Sequence, residues 1–113
     1  MKVHDLTIYD EALGWITDGR KTLDIRVGYH KIKTVAVGDE LVLSSLGRWA
    51  KVRVTAIRRY SSFAQMVRHE DTEKIAPEMT SEQLVLELQH LLGKNEHLGV
   101  YVFEIELIGA RGQ

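Results

Sequence analysis

The sequence contains no cysteine, and this absence removes several classes of site from consideration. It excludes disulfide bonds, thiolate zinc sites and cysteine nucleophiles, and it suits a reducing compartment. The histidines also lack metal-ligand spacing, because His69, Glu70 and Asp71 are adjacent rather than one helical turn apart. No phosphate-binding glycine loop, dinucleotide fingerprint or nucleophile elbow occurs. We therefore expect no metal and no organic cofactor.

The chain also lacks an excess of charge of either sign. Fifteen Lys and Arg residues oppose sixteen Asp and Glu residues, for a formal net charge of −1. Without a global positive field, binding to a polyanion must depend on local clusters. No apolar run approaches the roughly 18 residues of a membrane helix, and the N-terminus has no signal-peptide apolar region. We expect a cytoplasmic protein with no membrane partner.

The 113 residues suit a single domain with one core, which we place at 1–109, followed by a flexible tail at 110–113. Apolar alternation predicts several short strands, near residues 1–9, 22–27, 41–43, 49–59 and 98–108. Helical spacing predicts three helices, with N-caps at Asp10, Ser62 and Thr80. This order favours an α+β fold, a small curled sheet or barrel capped by about three helices.

Two local signals refine this prediction. Thr80 is followed three residues later by Gln83, which is the spacing of a capping box. Ile57 interrupts the alternation of the clearest strand, and this break in parity predicts a β-bulge.

The stretch from Gly19 to Tyr29 has the most informative pattern in the chain. Its apolar residues alternate with polar ones, so that one strand face holds Leu23, Ile25 and Val27, and the other holds Thr22, Asp24 and Arg26. The polar face therefore carries a carboxylate and a guanidinium two residues apart, with Lys21 at its entrance. We expect this face to form the floor of any functional site.

The same stretch resembles the ASCH family of the PUA-like superfamily, in particular its small stand-alone bacterial and archaeal members. The resemblance rests on ordered segments that span nearly the whole chain: Gly19-x-Lys21-x-x-Asp24-x-Arg26, Val37-Gly38-Asp39, Val54-Thr55-Ala56, Tyr60-x-Ser62-Phe63, Lys74-Ile75-x-Pro77 and Tyr101-Val102-Phe103-Glu104-Ile105. It implies a PUA-like mixed β-barrel with helices over one opening. It also implies a cleft beside the strand that carries Lys21.

The resemblance further implies binding to, or action on, RNA or modified nucleosides. One branch is similar to amidohydrolases that remove the acyl group of N4-acetylcytidine, using a lysine, a threonine three residues later and a glutamate before the last helix. Lys21 matches the lysine and Glu78 lies close to the glutamate position, but Asp24 occupies the threonine position. A carboxylate cannot replace a lysine-activated hydroxyl in the same acyl-transfer step. This departure weakens the amidohydrolase hypothesis and favours binding.

The candidate ligand-binding residues are basic or aromatic: Lys21, Arg26, Tyr29, Arg53, Tyr60 and Arg68. Arginine can contact phosphate or a base edge, and a tyrosine ring can stack on an unpaired base for roughly 1–3 kcal/mol. Each type also has an ordinary explanation, namely an ion pair on a solvated strand face or a core ring with an exposed hydroxyl. Trp49 begins a strand beside Arg48 and is compatible with either role.

Three hypotheses follow. Two of them assign the domain a function on RNA or nucleosides, and the third assigns neither. In the first, the domain binds RNA or a modified nucleoside, and Asp24 accepts a hydrogen bond from a base amine. In the alternative, it is a small hydrolase, either an amidohydrolase or a ribonuclease, with Lys21 or Asp24 as base and Glu78 handling the second proton. In the third, the domain is a stable barrel whose cleft binds a protein partner, whose identity the sequence does not indicate, or no identifiable ligand.

Overall fold

The computed structural model, which describes residues 1–111, has one five-stranded sheet covered by helices. The strands are β1 (Val3–Thr7), β2 (Leu23–Val27), β3 (Glu40–Ser45), β4 (Arg48–Tyr60) and β5 (Val100–Arg111). The helices are α1 (Asp10–Thr17), α2 (His30–Lys33), α3 (Phe63–His69) and α4 (Ser81–Leu92), with 3₁₀ turns at Thr72–Lys74 and Gly93–Leu98. The predicted α+β class is confirmed, and α2 adds a fourth helix to the three expected.

The strands lie in the order β1-β3-β4-β5-β2. The β1–β3 pair is parallel, and the other three pairs are antiparallel. Apolar side chains are buried on both faces of the sheet. The inner face, toward α1 and α2, carries Leu41, Leu43, Val52, Tyr101 and Phe103. The opposite face, toward α3 and α4, carries Leu23, Ile25, Val27, Val100 and Val102.

The curl of the sheet brings its two edge strands, β1 and β2, toward each other. Arg26 of β2 donates a hydrogen bond through Nη1 to the carbonyl oxygen of Thr7 in β1, at 2.9 Å. The amino group of Lys31 donates to the carbonyl oxygen of Asp5. Side chains rather than a backbone ladder join these edges, so the sheet is a half-barrel with an opening between β1 and β2.

Local sequence signals account for the ends of most elements. Ser62 caps α3 through a bond from the Gln65 amide, and Thr80 and Gln83 form the predicted capping box of α4. The Asp10 cap is wrong, because Asp10 is the first residue of α1, where its carboxylate binds Arg48. That position still suits a carboxylate, since it faces the positive end of the helix dipole.

The long strand β4 contains the predicted bulge, two residues earlier than expected. Val54 pairs with Ile105 and Ala56 pairs with Glu104, so Thr55 is the additional residue on β4. The parity break at Ile57 is the downstream consequence of this insertion.

Strand β5 extends to Arg111, two residues past the predicted domain boundary at residue 109. Ala110 and Arg111 continue β5, opposite Ala50 and Trp49 of β4. The remainder of the predicted tail, residues 112–113, lies outside the described residues. Within residues 1–111, no helix combines the length and apolar character needed to cross a membrane.

Candidate functional site

The opening between β1 and β2 leads into a cleft of about 1220 Å³. Its lining comes from the end of β1, the start of α1, β2 and one side of α4. Apolar side chains make up much of the lining, among them Trp15, Ile25, Ala76, Leu84, Leu88 and Leu91. Three polar side chains of the Gly19–Tyr29 stretch also line it, namely Lys21, Asp24 and Arg26. An apolar cleft with a few convergent polar groups is the usual form of a small-molecule site.

The register of β2 against β5 determines where its polar residues point. Asp24 lies opposite Phe103 and Arg26 lies opposite Tyr101, so both share the inner face of the sheet. Asp24 is only 3% exposed. Arg26 Nε donates to Asp24 Oδ2 at 2.7 Å, which gives the buried carboxylate its counter-charge. This polar face is therefore buried rather than solvated.

Lys21 is also buried, with 7% of its surface exposed. Its Nζ donates to the carbonyl oxygens of Leu23, at 2.8 Å, and Ile75, at 2.7 Å. Burial lowers the pKa of Lys21 from 10.5 to about 8; nearby Asp24 opposes this shift and Arg26 adds to it. A lysine with this pKa changes protonation state near pH 8 rather than near pH 10.5.

The hydrogen bonds of Lys21 leave one direction open. A charged ammonium has three N–H donors and a neutral amine has two N–H donors and one lone pair. The carbonyls of Leu23 and Ile75 occupy two positions in either state, and the third has no partner within residues 1–111. Because Lys21 lines the cleft, its third position is available to a ligand, as a donor when charged and as an acceptor when neutral.

The low pKa of Lys21 predicts a pH dependence of stability. Between about pH 8 and pH 10.5, folded Lys21 is neutral while the unfolded lysine still binds a proton. The unfolded state then binds more protons, so the free energy of unfolding rises with pH across this window, by on the order of 2 kcal/mol. Urea denaturation at the two ends of the window, with Lys21→Met as the reference, measures this contribution. Equal rises in both proteins would show that Lys21 has an ordinary pKa.

Tyr29 is the fourth predicted residue that lines the cleft. It is 48% exposed at the mouth, and its hydroxyl accepts a hydrogen bond from Asn95. Lys31 also lines the mouth, where it bonds to the carbonyl of Asp5. The ring is therefore held at the entrance to the cleft, with one side toward solvent.

The other four predicted residues, Glu78, Arg53, Arg68 and Tyr60, lie outside the cleft lining. The side chain of Glu78 is 67% exposed and accepts a hydrogen bond from Arg20 at 3.1 Å. Arg53 pairs with Glu40 at 3.2 Å, and Arg68 is exposed on the last turn of α3.

Tyr60 belongs to a separate polar network that attaches the end of α3 to β4. Its hydroxyl donates to Glu70 Oε2 at 2.5 Å, and its ring stacks on His69 with centroids 5.7 Å apart. Arg58 makes two hydrogen bonds to Glu70, at 2.7 and 2.8 Å, and lowers the pKa of that carboxyl. This arrangement supplies the buried carboxylate of Glu70 with hydrogen-bond donors. It therefore gives Tyr60 a structural contact.

Glu87, which was not among the predicted site residues, lines the cleft from α4. Its position offered a signal, because Glu87 is three residues after Leu84 and four before Leu91. Residues at these separations share one helix face, so Glu87 lies on the apolar stripe of α4. The described residues bring no three His, Asp or Glu side chains into a group suited to a metal ion.

Comparison with known proteins identifies the fold and its family. A family model described as the ASCH domain matches residues 6–108. The chain belongs to the ASCH domain family. This result confirms the resemblance found in the sequence, and it covers β2 and every cleft residue except Asp5.

Two solved structures share the ASCH architecture of this chain. The hypothetical protein PH0355 from Pyrococcus is 29% identical, with a TM-score of 0.84, and the match covers 96% of this chain and 100% of that one. Protein PF0455 from Pyrococcus furiosus is 26% identical, with a TM-score of 0.75, and the match covers 96% and 98%. These likenesses confirm the PUA-like fold. A search of curated proteins found no match.

Proposed function

We propose that the ASCH cleft binds a nucleobase, either in a free nucleoside or in an unpaired nucleotide of RNA. The observation that carries this proposal is the combination of apolar cleft walls with a polar set formed by buried Lys21, buried Asp24 and partly buried Arg26. A planar base presents apolar faces and a polar edge, so it matches both parts of the lining. Tyr29 at the mouth offers a further ring for stacking.

The polar set favours a cytosine-type edge. Asp24 accepts hydrogen bonds, whereas Arg26 and charged Lys21 donate them. Cytosine presents an amine donor at N4 beside acceptors at N3 and O2, and acidic side chains commonly accept from that amine. Uracil and guanine present a different sequence of donors and acceptors, so they leave part of this set unsatisfied.

The charges around the cleft favour a base over a phosphate chain. Besides the Asp24–Arg26 pair, the lining contains four carboxylates but only two cations: Asp5, Asp10, Glu11 and Glu87 against Lys21 and Lys31. Such a lining does not attract a polyanion. In our proposal the base enters the cleft, and any phosphates stay outside it.

Calorimetric titration with cytidine, N4-acetylcytidine and uridine tests this proposal. We expect a cytidine-type ligand to bind more tightly than uridine. Arg26→Leu is expected to weaken binding by at least about ten-fold, because hydrogen bonds to charged groups contribute about 1.5–3 kcal/mol. Arg53→Leu serves as the control, since Arg53 lies outside the cleft lining. Equal losses in both variants, or no binding by the wild type, would contradict the proposal.

A hydrolase is the second candidate, and the lowered pKa of Lys21 is the observation that favours it. Neutral Lys21 has a lone pair available to activate water for attack on the amide carbon of N4-acetylcytidine, with release of cytidine and acetate. Asp24 is held by Arg26, and Glu78 lies outside the cleft lining, so Lys21 is the stronger candidate base.

Turnover of N4-acetylcytidine distinguishes this candidate from simple binding. Catalysis by neutral Lys21 predicts that kcat rises with pH and levels off above about 8, and that Lys21→Met abolishes turnover. Binding of N4-acetylcytidine without release of acetate would exclude the hydrolase and leave the binding function in place.

A further inference from the structure

Trp49 is one of the two tryptophans of the chain, and neither the fold nor the cleft accounts for it. It lies at the start of β4, where it is 36% exposed. The sheet register places it opposite Ser44 on one side and Arg111 on the other, and Ser44 is itself opposite Thr7. Residues in register share a face. We call this exposed row across four strands, Thr7, Ser44, Trp49 and Arg111, the ledge.

The ledge begins at the mouth of the cleft. Thr7 and Ser44 line the cleft, and they also line a second pocket of about 450 Å³ that includes Trp49. The carbonyl of Thr7 accepts the hydrogen bond from Arg26, which connects the ledge to the polar set of the cleft. Trp49 is two strands away from Thr7, a distance of about 10 Å. The cleft and the ledge therefore form one continuous surface.

Cations outnumber carboxylates at the ledge, whereas carboxylates outnumber cations in the cleft lining. Arg111 is in the same row as Trp49, and Lys51 is two residues along β4 on the same face. Lys51 contacts Glu40 at 3.4 Å. Arg48, beside Trp49 in the chain, binds Asp10 and so offsets an acidic group near this end of the cleft. Arg111 and Lys51 therefore provide cations for backbone phosphates, which the cleft lining does not attract.

We infer that the ledge is a second binding subsite beside the cleft, and that it takes the neighbouring nucleotide of a single-stranded oligonucleotide. This inference rests on the proposed function, since it places one base in the cleft. The base of a neighbouring nucleotide stacks on the exposed indole of Trp49, and a phosphate contacts Arg111 or Lys51. Stacking on an aromatic side chain tolerates any base. The ledge therefore adds affinity, whereas the cleft selects the base.

Two titrations on the same protein test this inference. Short labelled oligocytidylate and oligodeoxycytidylate are followed by fluorescence anisotropy, and cytidine is followed by calorimetry. Trp49→Ala is expected to weaken oligonucleotide binding by about ten-fold, because the stacking of a base on an aromatic side chain typically contributes this much to affinity. It is expected to leave cytidine binding unchanged. Trp49→Phe should retain most of the affinity. Leu86→Ala, which changes an exposed leucine of α4 outside both pockets, should retain all of it.

The outcomes separate this inference from the proposed function. Cytidine binding with no gain in affinity for the oligonucleotides overturns the ledge and leaves the cleft proposal intact. The same conclusion follows if Trp49→Ala weakens the binding of cytidine and of the oligonucleotide equally, or if it changes the binding of neither. Oligonucleotide binding that depends on Trp49 without any cytidine binding supports the ledge and contradicts the cleft. Comparison of the two oligonucleotides shows whether RNA or DNA is preferred.

Discussion

Replacement of Asp24 by asparagine is expected to lower the free energy of unfolding by about 2–4 kcal/mol, because it removes the carboxylate from a largely buried ion pair. Asp24 is buried, and the side chain of its partner Arg26 is only 19% exposed. The guanidinium then loses its counter-charge while it remains in the cleft. The same variant replaces one carboxylate oxygen with an NH₂ donor and leaves only a neutral carbonyl to accept from the base amine, so cytidine binding should weaken strongly as well. Urea denaturation and calorimetry measure the two effects.

The chain contains a matched control for this variant. Asp18 and Arg20 are also two residues apart and form an ion pair at 3.0 Å, but both side chains are about half exposed. Asp18→Asn is expected to change stability by less than about 1 kcal/mol, as is usual for exposed pairs. It should not change cytidine binding. Similar losses of stability in Asp18→Asn and Asp24→Asn would show that burial of the Asp24–Arg26 pair does not increase its contribution to stability.

Replacement of Gly28 by alanine is expected to destabilise the fold by about 3 kcal/mol, at the upper end of overpacking effects. Gly28 follows β2, and its N–H bonds to the carbonyl of Gly99 at 2.9 Å. An added Cβ would overlap the carbonyl oxygen of Leu98 and lie 2.9 Å from Cε1 of Tyr101. Relief of this overlap requires movement of the backbone next to Tyr29, at the mouth of the cleft. Thermal or urea denaturation measures the effect.

Gly14→Ala is the control for this second variant. Gly14 lies inside α1, and an added Cβ there meets no atom within 4 Å. Alanine is favoured over glycine in a helix, so this variant should gain about 0.5–1 kcal/mol. The two substitutions are chemically identical but are expected to have opposite signs. A destabilisation in Gly14→Ala as large as that in Gly28→Ala would indicate a general intolerance of the fold rather than a local overlap.

Local patterns allowed much of the fold to be predicted. The alternation in β2 separated Asp24 and Arg26 from the apolar face, and hydrogen bonding by Ser62 and Thr80 fixed the starts of two helices. These features depend on residues within a few positions of one another. The helix α2 was missed because its four residues are too few to establish a helical period.

Placement of the candidate site depended on contacts between distant segments, and there sequence reasoning was less complete. Lys21, Asp24, Arg26 and Tyr29 come from one stretch, and the structure places all four in the cleft lining. Arg53, Tyr60, Arg68 and Glu78 come from other elements, and their positions depend on strand order and on the packing of α3 and α4. Nothing local shows, for example, that Tyr60 is bound to Glu70. Their proposed functional roles remain predictions.

The most direct test of nucleobase binding in the cleft is to map cytidine binding by amide chemical shifts of the isotope-labelled protein. Nucleobase binding in the cleft predicts changes confined to residues 5–12, 21–29, 75–79 and 84–92. These changes should weaken strongly in Asp24→Asn and be retained in Asp18→Asn. Changes centred elsewhere, such as around Arg53 and Arg68, would contradict the assignment of the cleft. Unchanged spectra at saturating cytidine would contradict nucleobase binding itself.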